Sequence, residues 1–165
     1  MLVVADASPL HYLVLIAAPD FLPLLFGRVV VPRVVAQELQ HPQTPALVRL
    51  WMAVPPAWLD IHEVNTTPDA SLAHLDPGEQ AAITLAQALH ADLFLMDEWE
   101  GRQEAARRAL TVTGVLGVLE RAARQELIDL PLRWFLCKSP TGYLQQERSG
   151  ITMVTMEVTP IYNMG

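Results

Sequence analysis

The chain has 165 residues, with 11 basic and 18 acidic side chains and a formal net charge of −7. That length suits one domain with a full core, and the acidic balance argues against tight non-specific nucleic-acid binding through a positive surface. Although 52% of the residues are hydrophobic, no apolar run approaches the roughly 20 residues that span a bilayer, so a compact soluble fold with no membrane partner is expected.

Reading starts at Met1-Leu2-Val3-Val4-Ala5-Asp6, which lacks the basic region and cleavage site of a signal peptide. The single cysteine, Cys137, cannot form an internal disulfide. Both features point to the cytoplasm. Leu2–Ala5 reads as a buried strand, short and continuously apolar. Ser8-Pro9 then reads as a helix cap followed by proline at the first helical position, with the helix running to about Ala18. Pro19 and Pro23 break the next stretch. Val29-Val30-Val31 is a second strand, and Pro32 starts a helix through about Gln40, ended by His41-Pro42. A short helix covers Ala46 to Ala53, and Pro55-Pro56 marks a turn. Trp58 to Val64 reads as an edge strand and the polar Asn65 to Ala70 as a loop.

Asp76-Pro77-Gly78-Glu79 is a strong helix start, with a cap, a proline and a glutamate three residues after the cap. That helix should reach about Leu89. Leu93 to Met96 is a third buried strand, and Glu98 to Leu110 a charged helix. Thr111-Val112-Thr113 is a fourth short strand, before a helix from Gly114 to about Leu127. Pro131 begins a last helical stretch. Strands alternating with helices imply an α/β fold, a three-layer α/β/α sandwich around a mostly parallel sheet. Residues 1–130 should form this domain, with 131–165 a helical extension and tail packed on it. Residues 131–148, with Trp134, Phe135 and Leu136, could form a hairpin that pairs two copies, so a homodimer is expected.

Ligand sites in such folds lie at the carboxyl ends of strands, near the switch in strand order. Asp6 and Asp97 sit at two such ends. Asp6 could simply cap the following helix, but Ser8 is an equally good cap, which leaves the carboxylate without an obvious structural task. In the helix from Pro32, residues 34, 35 and 38 share one face. Val34 and Val35 should pack inward, so Glu38 points the same way, where a lone carboxylate is expensive. A place at the stripe's edge would instead let it reach solvent. Glu79 completes a capping box without any chemistry, yet a helix start also puts it at the strand-end side. Asp97-Glu98-Trp99-Glu100 could be another capping box, with Glu98 and Glu100 in a solvated first turn. Carboxylates gathered at one edge would repel one another, which makes a divalent cation the first ligand to suspect.

All but one of the 11 basic residues are arginine, the side chain best shaped to grip phosphate at two points. A GC-rich genome would give the same bias. Arg102, Arg107 and Arg108 follow Asp97 and could steer a phosphate backbone toward the acids, or pair with Glu100 and Glu104 on a solvated face. The five histidines show no zinc-type spacing.

The chain resembles a PIN-domain protein of the small prokaryotic type that is often a toxin-like ribonuclease. The resemblance covers about residues 1 to 130. It rests on Val4-Ala5-Asp6-Ala7-Ser8-Pro9-Leu10, on Val31-Pro32 through Val35-Ala36-Gln37-Glu38-Leu39, and on Leu75-Asp76-Pro77-Gly78-Glu79-Gln80-Ala81-Ala82-Ile83. Leu95-Met96-Asp97-Glu98 and Val112-Thr113-Gly114-Val115-Leu116-Gly117-Val118-Leu119 complete it. It implies that Asp6, Glu38, Glu79 and Asp97 hold Mg²⁺ or Mn²⁺ for RNA phosphodiester cleavage, with Glu79 where the family usually has aspartate. Ser8 matches the family's small hydroxyl near the first acid, and Arg102 is the arginine nearest the site. A small antitoxin partner is implied as well. A catalytically weak PIN-like module that binds RNA or protein is the alternative. A phosphoacceptor signalling domain also keeps acids at strand ends, but it needs a strand-end lysine, and Lys138 falls in a late helical segment.

Overall fold

The computed structural model describes residues 1–67 and 69–128. The expected extension and tail at 131–165, including Lys138, lie outside the described residues. Five strands form one parallel sheet: β1 (Val3–Ala5), β2 (Val29–Pro32), β3 (Leu59–His62), β4 (Leu93–Leu95) and β5 (Val112–Thr113). Their order is β3-β2-β1-β4-β5. The helices between them are α1 (Ala7–Leu15), α2 (Phe21–Phe26), α3 (Arg33–Leu39), α4 (Ala46–Ala53), α5 (Pro77–Ala88), α6 (Trp99–Arg107) and α7 (Val115–Arg124).

Unbroken apolar runs mark strands covered on both faces. Val3, Val4, Ala5, Phe94 and Leu95 accordingly have no exposed surface. Helix α5 lies on β1 and β2 and packs against α3, while α2 and α7 pack together and reach β2 and β5 respectively. The sheet is thus sandwiched between helical layers. The chain steps outward from β1 to β2 and β3, then returns on the other side of β1 as β4 and β5. The order therefore reverses between β1 and β4, where strand ends leave a crevice. Backbone bonds continue past the strands there: Asp6 N–H donates to Leu95 O (3.0 Å) and Met96 N–H to Thr113 O (2.9 Å).

Four local expectations need correction. Asp6, not Ser8, is the N-cap of α1, so Pro9 is the third helical residue rather than the first. First-turn N–H groups have no intrahelical acceptor, so proline costs little there. The helix ends at Leu15, short of Ala18, and Ala17 adopts a left-handed φ of 52°. For the same first-turn reason Pro23 does not break the next stretch but sits inside α2. On α3, Val35 is fully buried but Val34 is 40% exposed. Successive helical residues point about 100° apart, so a narrow core-facing stripe takes only one of the pair.

Candidate metal centre

A cleft of about 190 Å³ opens at the carboxyl edge of the sheet, lined by Asp6, Ser8, His11, Tyr12, Glu38, Thr44, Asp76 and Glu98 among others. Asp6 forms its floor. It is 3% exposed, and its carboxylate accepts from Ser8 N–H at 3.4 Å. Ser8 Oγ lies 3.2 Å from Asp6 Oδ2 and also meets Glu98 Oε2. Glu38 reaches the cleft from α3. It is an exposed residue, so the expectation that it is forced inward on an apolar face does not hold. It stands at the stripe's edge and faces the other acids.

Glu79 and Asp97 flank the cleft without lining it. Asp76 and Glu79 form the expected capping box at the start of α5: Glu79 N–H donates to Asp76 Oδ1 (2.8 Å), and Asp76 N–H to Glu79 Oε2 (3.1 Å). Asp97 does not cap its own helix. Its two oxygens accept from Val115 N–H, at 3.1 and 3.3 Å, at the start of α7. Arg102 donates Nη1 to the Met96 carbonyl (2.7 Å), and its charge lies beside Asp97. Arg107 and Arg108 turn away and pair with Glu104 at 3.2 and 2.9 Å. They therefore do not pair with Glu100.

Close packing at three glycines makes room for three of the acids. A Cβ on Gly78 would come to 2.6 Å from Glu38 Oε2, and one on Gly101 to 2.9 Å from Glu79 Oε1. At Gly114 the added atom would overlap Asp97 Oδ1.

The shared setting raises the carboxyls of Asp6, Glu38, Glu79 and Asp97. Burial, then the charges of Glu98 and Glu38, push Asp6 up from 3.8 to about 7, against the opposing N–H bonds from Ala7 and Ser8. Glu38 is raised by partial desolvation and by Asp76, Glu98 and Glu79. Glu79 is raised mainly by desolvation, against its bond from the Asp76 backbone, and the charges of Asp76, Glu98 and Glu100 add to this. Asp97 is raised by desolvation and Glu98, against Val115 N–H and Arg102. Glu98 thus acts on all four acids that sequence reasoning had singled out. Local pattern assigned it to a solvated helix turn, and only the spatial arrangement shows it in the cleft.

In kind, these donors fit a hard divalent cation: they are all oxygen and strongly negative, and burial, then like charge, raises the Asp6 carboxyl. Among the described residues, no three such side chains stand close enough to hold an ion as placed. An ion would therefore have to draw exposed Glu38 and Glu98 inward.

A parallel sheet with carboxylates gathered near its switch point defines an α/β protein whose acids meet at its strand ends. The sequence profile of the PIN-domain family matches residues 2–134, and the chain belongs to that family. The PIN domain is typically a nuclease fold, and its members generally use divalent metals. Among solved structures, the chain is similar to a PilT N-terminus domain protein from the hyperthermophilic archaeon Sulfolobus solfataricus P2. The TM-score is 0.55 and the identity 14%, over 74% of this chain and 93% of that one. At that identity the likeness shows the fold alone. No protein with curated annotation matches the chain. No helix among the described residues is long and apolar enough to cross a membrane.

Proposed function

We propose that this protein is a metal-dependent endoribonuclease that hydrolyses RNA phosphodiester bonds in the cytoplasm. One observation carries the reading: the buried Asp6 shares a cleft with Glu38 and Glu98 at the switch point of a PIN-family sheet. Asp6 and Glu38, flanked by Glu79 and Asp97, would hold Mg²⁺ or Mn²⁺. The ion supplies Lewis acidity at the phosphate and lowers the pKa of water. Ser8 fixes the Asp6 carboxylate, and Arg102 offsets the charge of Asp97. Purified protein should cut single-stranded RNA when Mg²⁺ or Mn²⁺ is added, and D6N should not. Absence of cleavage by the wild type, or equal cleavage by D6N, rules the reading out.

A second reading has its own support. Among the described residues no lysine or arginine lines the cleft, so none of these supplies a counter-charge to an RNA backbone there. A weak or inert PIN-like module that binds RNA or protein matches that feature. Calorimetry with Mn²⁺ separates the two readings, because an inert module binds no ion there.

The same proposal gives the chain a protein partner, a second copy or a small antitoxin. Helices α1 and α4 pack together and leave Tyr12, Leu15, Leu47 and Leu50 exposed, with Leu50 at 72%. Exposed apolar side chains on two packed helices suit coverage by another protein. A sedimentation profile that stays monomeric at all concentrations rules out the homodimer.

A further inference from the structure

We infer that Tyr12 and Trp99 are stacking platforms for unpaired bases of an RNA strand lying across the cleft. The inference rests on the RNA-directed reading above and deepens it, by naming the part of the substrate that the protein grips. Among the described residues, Tyr12 and Trp99 are the phenylalanine, tyrosine and tryptophan side chains left in solvent, at 53% and 73% exposed. Phe21, Phe26 and Phe94 are buried, and Trp51 and Trp58 pack on the core and on each other. A large ring left in water forgoes the stabilisation that burial gives the others.

Both exposed rings fall at the cleft. Tyr12 lines it, with the His11 ring beside it at a centroid distance of 5.4 Å and a tilt of 51°. Trp99 opens α6 directly after the cleft-lining Glu98. The Ser8 hydroxyl meets Glu98 and so ties that helix start to α1. Tyr12 stands one turn beyond Ser8 on the same face of α1. The two rings therefore belong to elements that meet at the acids.

Stacking also answers the problem of charge. The chain carries a formal net charge of −7, and no lysine or arginine among the described residues lines the cleft. Phosphate contacts there supply little grip. An aromatic face instead holds a neutral base, and every base has a π-face, so the grip tolerates any sequence. Bases are splayed out for such contact in unpaired RNA, not in a duplex, which makes the single strand the substrate class.

The test follows, by fluorescence anisotropy with Mn²⁺ present, a short non-cleavable 2′-O-methyl RNA and an abasic backbone of the same length. Circular dichroism melts run in parallel; both side chains are exposed, so the variants keep the core. Wild type should bind the base-bearing strand at least about ten-fold more tightly than the abasic one. Y12A and W99A should each weaken base-bearing binding about five-fold or more and leave the abasic strand unchanged. Y12F keeps the ring and should stay within about two-fold of wild type, whereas Y12L keeps apolar bulk without the ring and should bind like Y12A. Equal binding of the two strands by wild type, or binding of neither, overturns the inference. So does wild-type affinity in either alanine variant; if Y12A then loses self-association, Tyr12 belongs to a protein interface instead. A Y12L that binds like Y12F overturns it too, by reducing Tyr12 to an apolar contact. Cleavage of single-stranded RNA by the wild type is scored separately, so failure of the platforms and failure of the ribonuclease reading are told apart.

Discussion

Replacing Asp6 with asparagine should make the metal-free protein more stable at pH 8, even as it abolishes activity. Asparagine caps helices about as well as aspartate, so α1 keeps its start. What changes is the charge. The Asp6 carboxyl is raised from 3.8 to about 7, first by burial and then by Glu98 and Glu38. The folded chain therefore holds the Asp6 proton more tightly than the unfolded chain does. Stability from this proton is complete below 3.8 and is lost progressively as pH rises to about 7. At 1.36 kcal/mol per pH unit, the full loss is about 4 kcal/mol as a ceiling. D6N has no such proton and should escape that loss. In EDTA, urea unfolding of the wild type should weaken from pH 5 to pH 8, whereas D6N should change much less and exceed the wild type at pH 8. Saturating Mn²⁺ should restore stability to the wild type alone, because the ion replaces the missing proton. A D6N protein less stable than wild type at pH 8, or a wild type whose metal-free stability is flat over that range, refutes the reasoning.

Further outcomes follow from the packing around the site. G114A should cost roughly 2 kcal/mol in thermal unfolding, because the added methyl displaces Asp97 from Val115 N–H; a variant that melts with the wild type contradicts this. R108A should lower the urea midpoint more than R107A. Arg108 is 14% exposed and also reaches Asp69 and Gln87, whereas Arg107 is 68% exposed. Equal midpoints would show that the Glu104 pairings are interchangeable. Binding of a non-cleavable 2′-O-methyl RNA, followed by fluorescence anisotropy, should weaken less than about ten-fold between 50 and 200 mM salt, against about 10³–10⁵ for a basic surface. A steep dependence would place arginines outside the cleft on the RNA.

Much of this architecture was legible in the chain. The apolar runs located β1, β2 and β4, and Asp76-Pro77-Gly78-Glu79 announced the capping box that the structure contains. Helix α4 occupies the expected Ala46–Ala53. The misses were of two kinds. Pro9 and Pro23 lie inside first turns, and a proline's effect depends on its distance from a helix start that local sequence does not fix. Of the adjacent valines on α3 only Val35 faces the core, a choice that residue type alone does not make. Asp97 capping α7 links residues 18 apart in sequence, a bond that no local spacing announces.

Sequence alone determined the elements, the family resemblance and the set of acids at strand ends, because period, caps and breakers act within a turn or two of chain. Tertiary structure decided which of those acids share a space. The strand order put the ends of β1 and β4 side by side, and Gly78, Gly101 and Gly114 left room for Glu38, Glu79 and Asp97. It brought Glu98 into the cleft and engaged Asp97 and Glu79 at helix starts. The reason is physical: repulsion and desolvation depend on distances across the fold, and these exist only once the sheet has formed.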